Sequence, residues 1–366
     1  MKEVAIKDIC KKDSSALKQK ELLPEGKYPV FGASGIAGYL DRYHQKKEYI
    51  GIVKDGSGIG RVAFYPAESS LIGTMQYVLP KENYDIRYIG YCLQSLDLSK
   101  YKQGAAIPHI YFRDYGEQLV KVTDNWEEQH SIVSRLDSAF SHIDALKANA
   151  EKQLNEARKL FQAELTECMK PKEGWEEKTL KEVSEIAGEY GLNASSKPFD
   201  GVRYLRITDI TDFGYLNDDK VSANVEDGKK QDELVEGDIL FARTGATVGK
   251  TLVYRKDFGD CLFAGYLIRY RLKKDCILPR FIHYITHSKE YYKWVETNQE
   301  AAAQPNISAK KYNMLFIRYP NIDVQHRIVS HLDSLSSTIR KLEELQQKTL
   351  AECDALKQAM LREVFE

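Results

Sequence analysis

Gln129-His130-Ser131-Ile132-Val133-Ser134-Arg135-Leu136-Asp137-Ser138 returns 196 residues later as Gln325-His326-Arg327-Ile328-Val329-Ser330-His331-Leu332-Asp333-Ser334, with eight of ten positions identical. The same offset continues without a gap: Ile143 with Ile339, Leu146 with Leu342, Lys152 with Lys348, Leu154 with Leu350, Leu160 with Leu356 and Leu165 with Leu361. A match of this length at one fixed offset marks an internal duplication. Upstream the halves correspond more loosely. Gly104-Ala105-Ala106-Ile107-Pro108-His109-Ile110 faces Glu300-Ala301-Ala302-Ala303-Gln304-Pro305-Asn306-Ile307, and Val4 to Ile9 resembles Lys178 to Val183. The chain is therefore two copies of one unit whose C-terminal segments stayed alike while the preceding segments drifted.

The conserved segments read as helices. Leu332, Leu335, Ile339 and Leu342 recur at spacings of three and four, Cys353, Leu356 and Met360 resume the phase, and the first copy matches with Leu136, Ile143, Leu146, Ala157 and Leu160. This is a heptad stripe, interrupted mid-way by Gln346 and Thr349 and, in the other copy, by Ala150 and Gln153. Neither Trp126 to Met169 nor Ile322 to Glu366 contains proline or glycine, so each can run as one helix of about 65 Å at 1.5 Å per residue. A single helix of that length has no core of its own. The pattern predicts an antiparallel coiled coil, with two helices each lying on its own domain as the alternative.

The diverged segments show short strand-like runs broken by turns. Tyr49 to Val53, Arg61 to Tyr65 and Gln76 to Leu79 are examples in the first copy, and Tyr204 to Ile207, Asp238 to Ala242 and Leu267 to Tyr270 in the second. Helical patches follow around Ile86 to Leu98 and Pro279 to Glu296. The expected fold is α/β (α+β): two mixed-sheet domains, 1–124 and 171–320, separated by long helices over 125–170 and 321–366 in a pseudo-twofold repeat.

Composition narrows the function classes. At 366 residues there is length for two cores, and no apolar run approaches a membrane span or the start of a signal peptide, which makes the cytoplasm the expected compartment and excludes a membrane partner. The six cysteines show no C-x-x-C pair and no adjacent histidine cluster, so no metal site and no disulfide is expected. Net charge is −1, yet it is unevenly placed. The helical segments hold 16 acidic and 11 basic residues, leaving 38 acidic and 42 basic on the rest, a balance that permits nucleic acid on the domains without demanding it.

Two loops in each copy hold the candidate recognition residues. Gly245-Ala246-Thr247-Val248-Gly249-Lys250-Thr251 has one residue too few between its glycines for a phosphate-binding P-loop, and Leu252-Val253-Tyr254 after it reads as a strand where a P-loop opens a helix. A strand-turn-strand hairpin with Arg243 and Lys250 flanking a glycine-rich tip fits better. Lys54-Asp55-Gly56-Ser57-Gly58-Ile59-Gly60-Arg61 is its analogue. Cations beside small polar residues and exposed N–H groups suit phosphates and base edges, or are simply solvated. The candidates are Lys54, Ser57, Arg61, Arg243, Thr244, Thr247 and Lys250. The second loops, Lys102 to His109 and Asn298 to Asn306, add Lys102, Gln103, His109, Gln304 and Asn306, with Lys310 just beyond; their small residues either admit a base edge or fix a turn onto the next helix. No methylation Asn-Pro-Pro-Tyr loop, G-x-G-x-x-G, H-E-x-x-H or nucleophile elbow is present, so no catalytic residue is expected.

Together, the two divergent domains, the two near-identical helices, the stretch Glu236 to Lys250 and the stretch Ala302-Ala303-Gln304-Pro305-Asn306-Ile307-Ser308 resemble the specificity subunit of type I restriction-modification systems over essentially the whole chain. The resemblance implies a non-catalytic subunit whose two target recognition domains each read half of a split asymmetric double-stranded DNA sequence, with the helices as an antiparallel spacer. It implies two methyltransferase subunits that bind S-adenosylmethionine themselves, so no cofactor of this chain, and further subunits for restriction and translocation. Gln129, His130, Gln325 and His326 at the helix starts are the residues expected to meet the methyltransferase. Family members often carry Pro-Pro-x-x-Glu-Gln there; here Glu128-Gln129 lacks the prolines, the second copy has Pro320 and Val324-Gln325, and the first domain lacks a counterpart of Trp175. A coiled-coil scaffold without a nucleic-acid role and a nucleotide-dependent enzyme using residues 245–251 are the competing readings.

Overall fold

The computed structural model describes residues 1–104, 107–225, 234–300 and 304–366. Ala105 and Ala106 of one candidate loop, and Ala301 to Ala303 of the other, lie outside the described residues. The chain forms two compact units, one of Met1–Lys152 with Leu345–Glu366, the other of Gln153–Glu344.

In the first unit the elements are β1 (Lys2–Ala5), α1 (Ile6–Ile9), β2 (Cys10–Ser14), β3 (Tyr28–Gly32), β4 (Gly35–Leu40), β5 (Tyr49–Val53), β6 (Val62–Tyr65), β7 (Ser70–Leu71), β8 (Met75–Pro80), α2 (Ile86–Gln94), α3 (Phe112–Tyr115) and β9 (Leu119–Val122). The long helix α4 (Trp126–Met169) begins here. The second unit holds β10 (Glu176–Thr179), β11 (Ser184–Tyr190), β12 (Ser195–Pro198), β13 (Arg203–Leu205), β14 (Val221–Asn224), β15 (Ile239–Ala242), β16 (Thr251–Val253), β17 (Cys261–Phe263), β18 (Leu267–Leu272), α5 (Pro279–Ile285), α6 (Lys289–Asn298), α7 (Ala309–Asn313) and β19 (Phe316–Tyr319). The second long helix is α8 (Ile322–Phe365). Each long helix thus contributes one end to each unit.

Both units are built on a four-stranded antiparallel sheet in corresponding order, β2-β8-β5-β6 in the first and β11-β18-β15-β16 in the second. Parallel pairings of β3 with β7 and β13 with β17 make the whole mixed, as the expected fold class requires. The central strands β5 and β15 are buried along their full length, which explains why they read as unbroken apolar runs and not as alternating ones. The patch from Pro279 to Glu296 forms two helices in place of one. Thr286 to Ser288 breaks it, and the Ser288 hydroxyl caps α6 by accepting from the Tyr291 N–H at 3.2 Å.

The long helices run antiparallel to each other within each unit. In the first, Lys357 pairs with Asp144 at 2.6 Å and Lys147 pairs with Asp354; in the second, Arg158 pairs with Glu343 at 2.6 Å. They also pack on the sheet domains. Ile132, Val133, Leu136 and Ile143 of α4, with Cys353, Leu361 and Phe365 of α8, share one core with β5 and α2. Packing on the partner helix and packing on the domain are therefore combined and not alternatives.

The seam departs from the expected stripe at three leucines. Leu146, Leu160 and Leu356 are exposed, Leu160 to 71%. On α4 the seam passes through Lys147, Leu154, Phe161 and Leu165, and on α8 through Lys357 and Leu361. Lys147 and Lys357 lay their aliphatic stems into the contact while their ammonium groups reach the facing aspartates. Each exposed leucine is one residue, about 100° of helix rotation, from the seam position that a lysine or phenylalanine takes. No helix of the described residues is long and apolar enough to cross a membrane.

Candidate nucleic-acid interface

The two glycine-rich tips close in the same way. In the first unit the Val53 N–H donates to Arg61 O at 3.0 Å and the Gly60 N–H to Val53 O at 2.8 Å; in the second the Ala242 N–H donates to Lys250 O at 2.8 Å and the Gly249 N–H to Ala242 O at 2.9 Å. Gly60 (φ +83°) and Gly249 (φ +89°) must be glycine, because a Cβ would lie 3.0 Å from the Ser99 nitrogen in one case and 2.9 Å from Val295 in the other. The second tip leads through a short turn, Gly245–Thr247, into strand β16, so the P-loop geometry of a strand feeding a helix is absent there.

The fold brings each tip against the second candidate loop of its own unit. Gly56 N–H donates to Pro108 O at 3.0 Å and Ile110 N–H to Lys54 O at 2.9 Å; the counterparts are Gly245 N–H to Pro305 O at 2.9 Å and Ile307 N–H to Arg243 O at 2.9 Å. Asp55 bridges to His109 in one unit and Thr244 to Asn306 in the other. Each loop is recognisable in the sequence on its own, and nothing in the sequence joins the two. The join is backbone pairing between segments more than fifty residues apart, which leaves no local pattern.

On this shared frame the side chains differ. In the first unit the Asp55 carboxylate faces His109 Nδ1 at 2.7 Å with Lys54 at 3.9 Å, and Ser57 and Lys102 are exposed. Arg61 donates to the Ala33 carbonyl at 2.9 Å, and the Gln103 amide to Asp114 at 2.8 Å. In the second unit the Arg243 Nε donates to Asn306 Oδ1 at 3.2 Å while its guanidinium lies over the Tyr190 ring at 4.8 Å. Lys250 pairs with Asp212 at 2.6 Å, and the Thr247 hydroxyl donates to Thr244 O at 3.2 Å. Gln304 and Lys310 are exposed, as is Tyr266, whose carbonyl accepts from the Arg243 N–H at 3.0 Å. Asp55, Tyr190 and Tyr266 join these clusters without having been picked out as site residues; only the high tyrosine count hinted at the last two.

The helix starts give a different result for the two residue types there. Gln129 is fully buried; its Oε1 accepts from Asp85 N–H at 2.7 Å, and its Nε2 donates to the carbonyls of Thr123 at 2.9 Å and Asn83 at 3.1 Å. Gln325 repeats this with Leu278 N–H at 2.9 Å and the carbonyls of Pro320 at 2.8 Å and Cys276 at 3.1 Å. Their amides are spent inside the chain, tying each helix to its domain, so neither has a polar atom to spare for a partner. His130 and His326 beside them are exposed. A second tie, with no counterpart among the residues expected from the sequence, holds each long helix to its domain. Arg87 and Tyr91, one turn apart on α2, both bind Asp137, and Arg280 and Tyr284 on α5 both bind Asp333. The paired Arg-x-x-x-Tyr spacing was its signal. Burial and the adjacent carboxylate push the Tyr91 hydroxyl up to about 12.

The type I restriction modification DNA specificity domain matches residues 1–156 and 172–351. Over 261 residues the chain is 23% identical to the type I restriction enzyme StySPI specificity subunit of Salmonella potsdam, a match that covers 65% of this chain and 55% of that protein. The chain spans about half the length of this curated relative. Among solved structures, a chain described under complex assembly and conformational transition of the type I R-M system aligns over 99% of this chain and 96% of its own, with a TM-score of 0.72 at 18% identity. The HsdS subunit from Thermoanaerobacter tengcongensis aligns over 99% and 95%, with a TM-score of 0.52 at 18% identity. With the family pattern spanning both copies of the duplication, and a fold shared with these structures, the chain belongs to the type I restriction-modification DNA specificity family.

Proposed function

We propose that this chain is the DNA-recognition subunit of a type I restriction-modification assembly, and that the paired loops of each unit read one half of a bipartite, asymmetric double-stranded site. The observation that carries this reading is the repetition of one backbone frame, tip against second loop, with different polar groups mounted on it. A fixed frame presents side chains to base edges, and changing those side chains changes the bases without changing the fold. Arg243, held between Asn306 and Tyr190, suits a guanine edge; Asp55 with His109 offers an acceptor and a ring nitrogen to a different pair.

In this reading the helices set the spacer between half-sites, and His130 and His326 face two methyltransferase subunits, with Gln129 and Gln325 acting behind them. The chain is non-catalytic and cytoplasmic. S-adenosylmethionine is bound by the methyltransferase subunits, and restriction and translocation come from further subunits.

The test is to express the chain with its methyltransferase in a methylation-free host and map N6-methyladenine across the genome. A split motif of fixed spacing is expected, and Arg243→Ala weakens or relaxes one half-site by about 1–3 kcal/mol, roughly 5- to 150-fold. Equal loss at both half-sites, or none, counts against the tip assignment. One added turn in both helices should lengthen the spacer, and an unaltered spacer removes the ruler. Failure of the assembled complex to shift any duplex favours the scaffold reading, whereas ATP binding by the isolated chain restores the nucleotide-dependent one.

A further inference from the structure

Helix pairing in the second unit brings together three side chains that lie far apart in sequence. Glu164 and Cys168 stand one turn apart on α4, and His331 approaches them from α8. His331 Nε2 is 3.0 Å from Glu164 Oε1 and Cys168 Sγ is 3.6 Å from the same oxygen, with one ligand atom of each residue within 4.8 Å of the others. We propose that Glu164, Cys168 and His331 bind a single divalent cation of the zinc type, clamping α4 to α8.

Bond lengths of about 2.3 Å to sulfur and about 2.0 Å to nitrogen and oxygen, at tetrahedral angles, put S···O near ~3.5 Å and N···O near ~3.3 Å. Two of the three separations already have these values to within a few tenths of an ångström. The third, sulfur to imidazole, closes by a small swing of His331, whose side chain is half exposed. Thiolate, imidazole and carboxylate together form a borderline-soft set that favours zinc over magnesium or calcium. A surface His331–Glu164 ion pair and a thiol hydrogen bond across one turn of α4 account for the two contacts singly; their meeting on one oxygen is what assembles a three-ligand set from two helices. Beneath the triad, Phe161, Leu165 and Leu332 close the seam, so the cation sits at its rim with water as fourth ligand. The duplication supplies an internal control. The equivalent positions in the other half are Met360, Val364 and Arg135, which cannot form the set, so one ion per chain is expected and not two.

The experiment titrates the reduced, chelator-treated full chain with cobalt(II), following the near-ultraviolet thiolate-to-cobalt band and the visible bands of tetrahedral cobalt. One equivalent should saturate both, and zinc should bleach them. Cys168→Ser should abolish the charge-transfer band and His331→Gln the tetrahedral bands, with helicity by circular dichroism unchanged. His331→Gln, at an exposed position, carries the test alone if the serine variant fails to fold. Absence of the band in the unaltered chain, its persistence in Cys168→Ser, or indifference to His331→Gln overturns the proposal.

Discussion

The first tip places a carboxylate, Asp55, against an imidazole, and the second places a guanidinium, Arg243, against an amide, while the main-chain hydrogen bonds beneath them agree to within 0.2 Å in their paired distances. Backbone pairing depends on strand order and turn length, which the duplication preserved. Side-chain chemistry at the tip contributes little to the core and was free to change. The ties at the helix starts show the opposite pattern: Gln129 and Gln325, and Asp137 and Asp333, keep both identity and partners, because each satisfies buried or half-buried groups that no other residue of that size would match.

The largest effect expected from breaking this correspondence is at the glutamines. Gln325→Ala should lower the opening free energy of the α8 start by about 3 kcal/mol, since it strands an N–H and two carbonyls, one on the buried Pro320. Gln129→Ala should cost less, because Asn83 is exposed and its carbonyl recovers water. Hydrogen exchange at the two helix starts measures both, and equal losses would show that solvent access does not separate the halves.

Acid should separate the units next. His283 and His287 on and just beyond α5 are buried, their rings 4.2 Å apart, and burial pushes both below the ordinary histidine value of 6.5, with Arg280 adding to the effect. Their first-unit counterparts are Gly90 and Gln94, and none of that unit's described histidines is buried. The unfolded chain takes up protons first, so this contribution is complete above pH 6.5 and is lost as the pH falls. The slope is at most about 1.4 kcal/mol per pH unit for each histidine. Urea midpoints at pH 7.5 and 5.5 should converge in His283→Gln relative to the unaltered chain; an unchanged difference would assign the acid sensitivity elsewhere.

The smallest effect concerns a pair of buried tyrosines. Tyr312 donates to Ala242 O at 3.1 Å beneath the second tip, whereas the hydroxyl of Tyr115, its counterpart, is buried with no partner among the described residues. Tyr312→Phe should cost about 1 kcal/mol and Tyr115→Phe should be neutral or stabilising, read as shifts in thermal midpoint. Equal destabilisation by both would mean that the first hydroxyl is also satisfied.

Much of the architecture was legible in the chain itself. The duplication, the long helices and the hairpin with Arg243 and Lys250 at its base follow from repeat matching, from spacing and from turn residues a few positions apart. The heptad phase was legible only in part, because Leu160 beside Phe161 and Leu356 beside Lys357 offer two stripes and only the facing helix selects between them. The glutamines stand out as repeat partners, but identity between copies does not say which way a side chain points, and the fold turns them inward and not toward a partner.

By itself, the sequence determined what depends on neighbours along the chain: two copies, helical segments without breakers, and glycine-rich turns between short strands. Tertiary structure alone decided which loops meet, which leucines are covered, and that Asp137 receives Arg87 and Tyr91 or that Cys168 lies beside Glu164 and His331. Those meetings depend on the packing angle of helices and the order of strands, quantities to which every residue of a core contributes and no short stretch specifies.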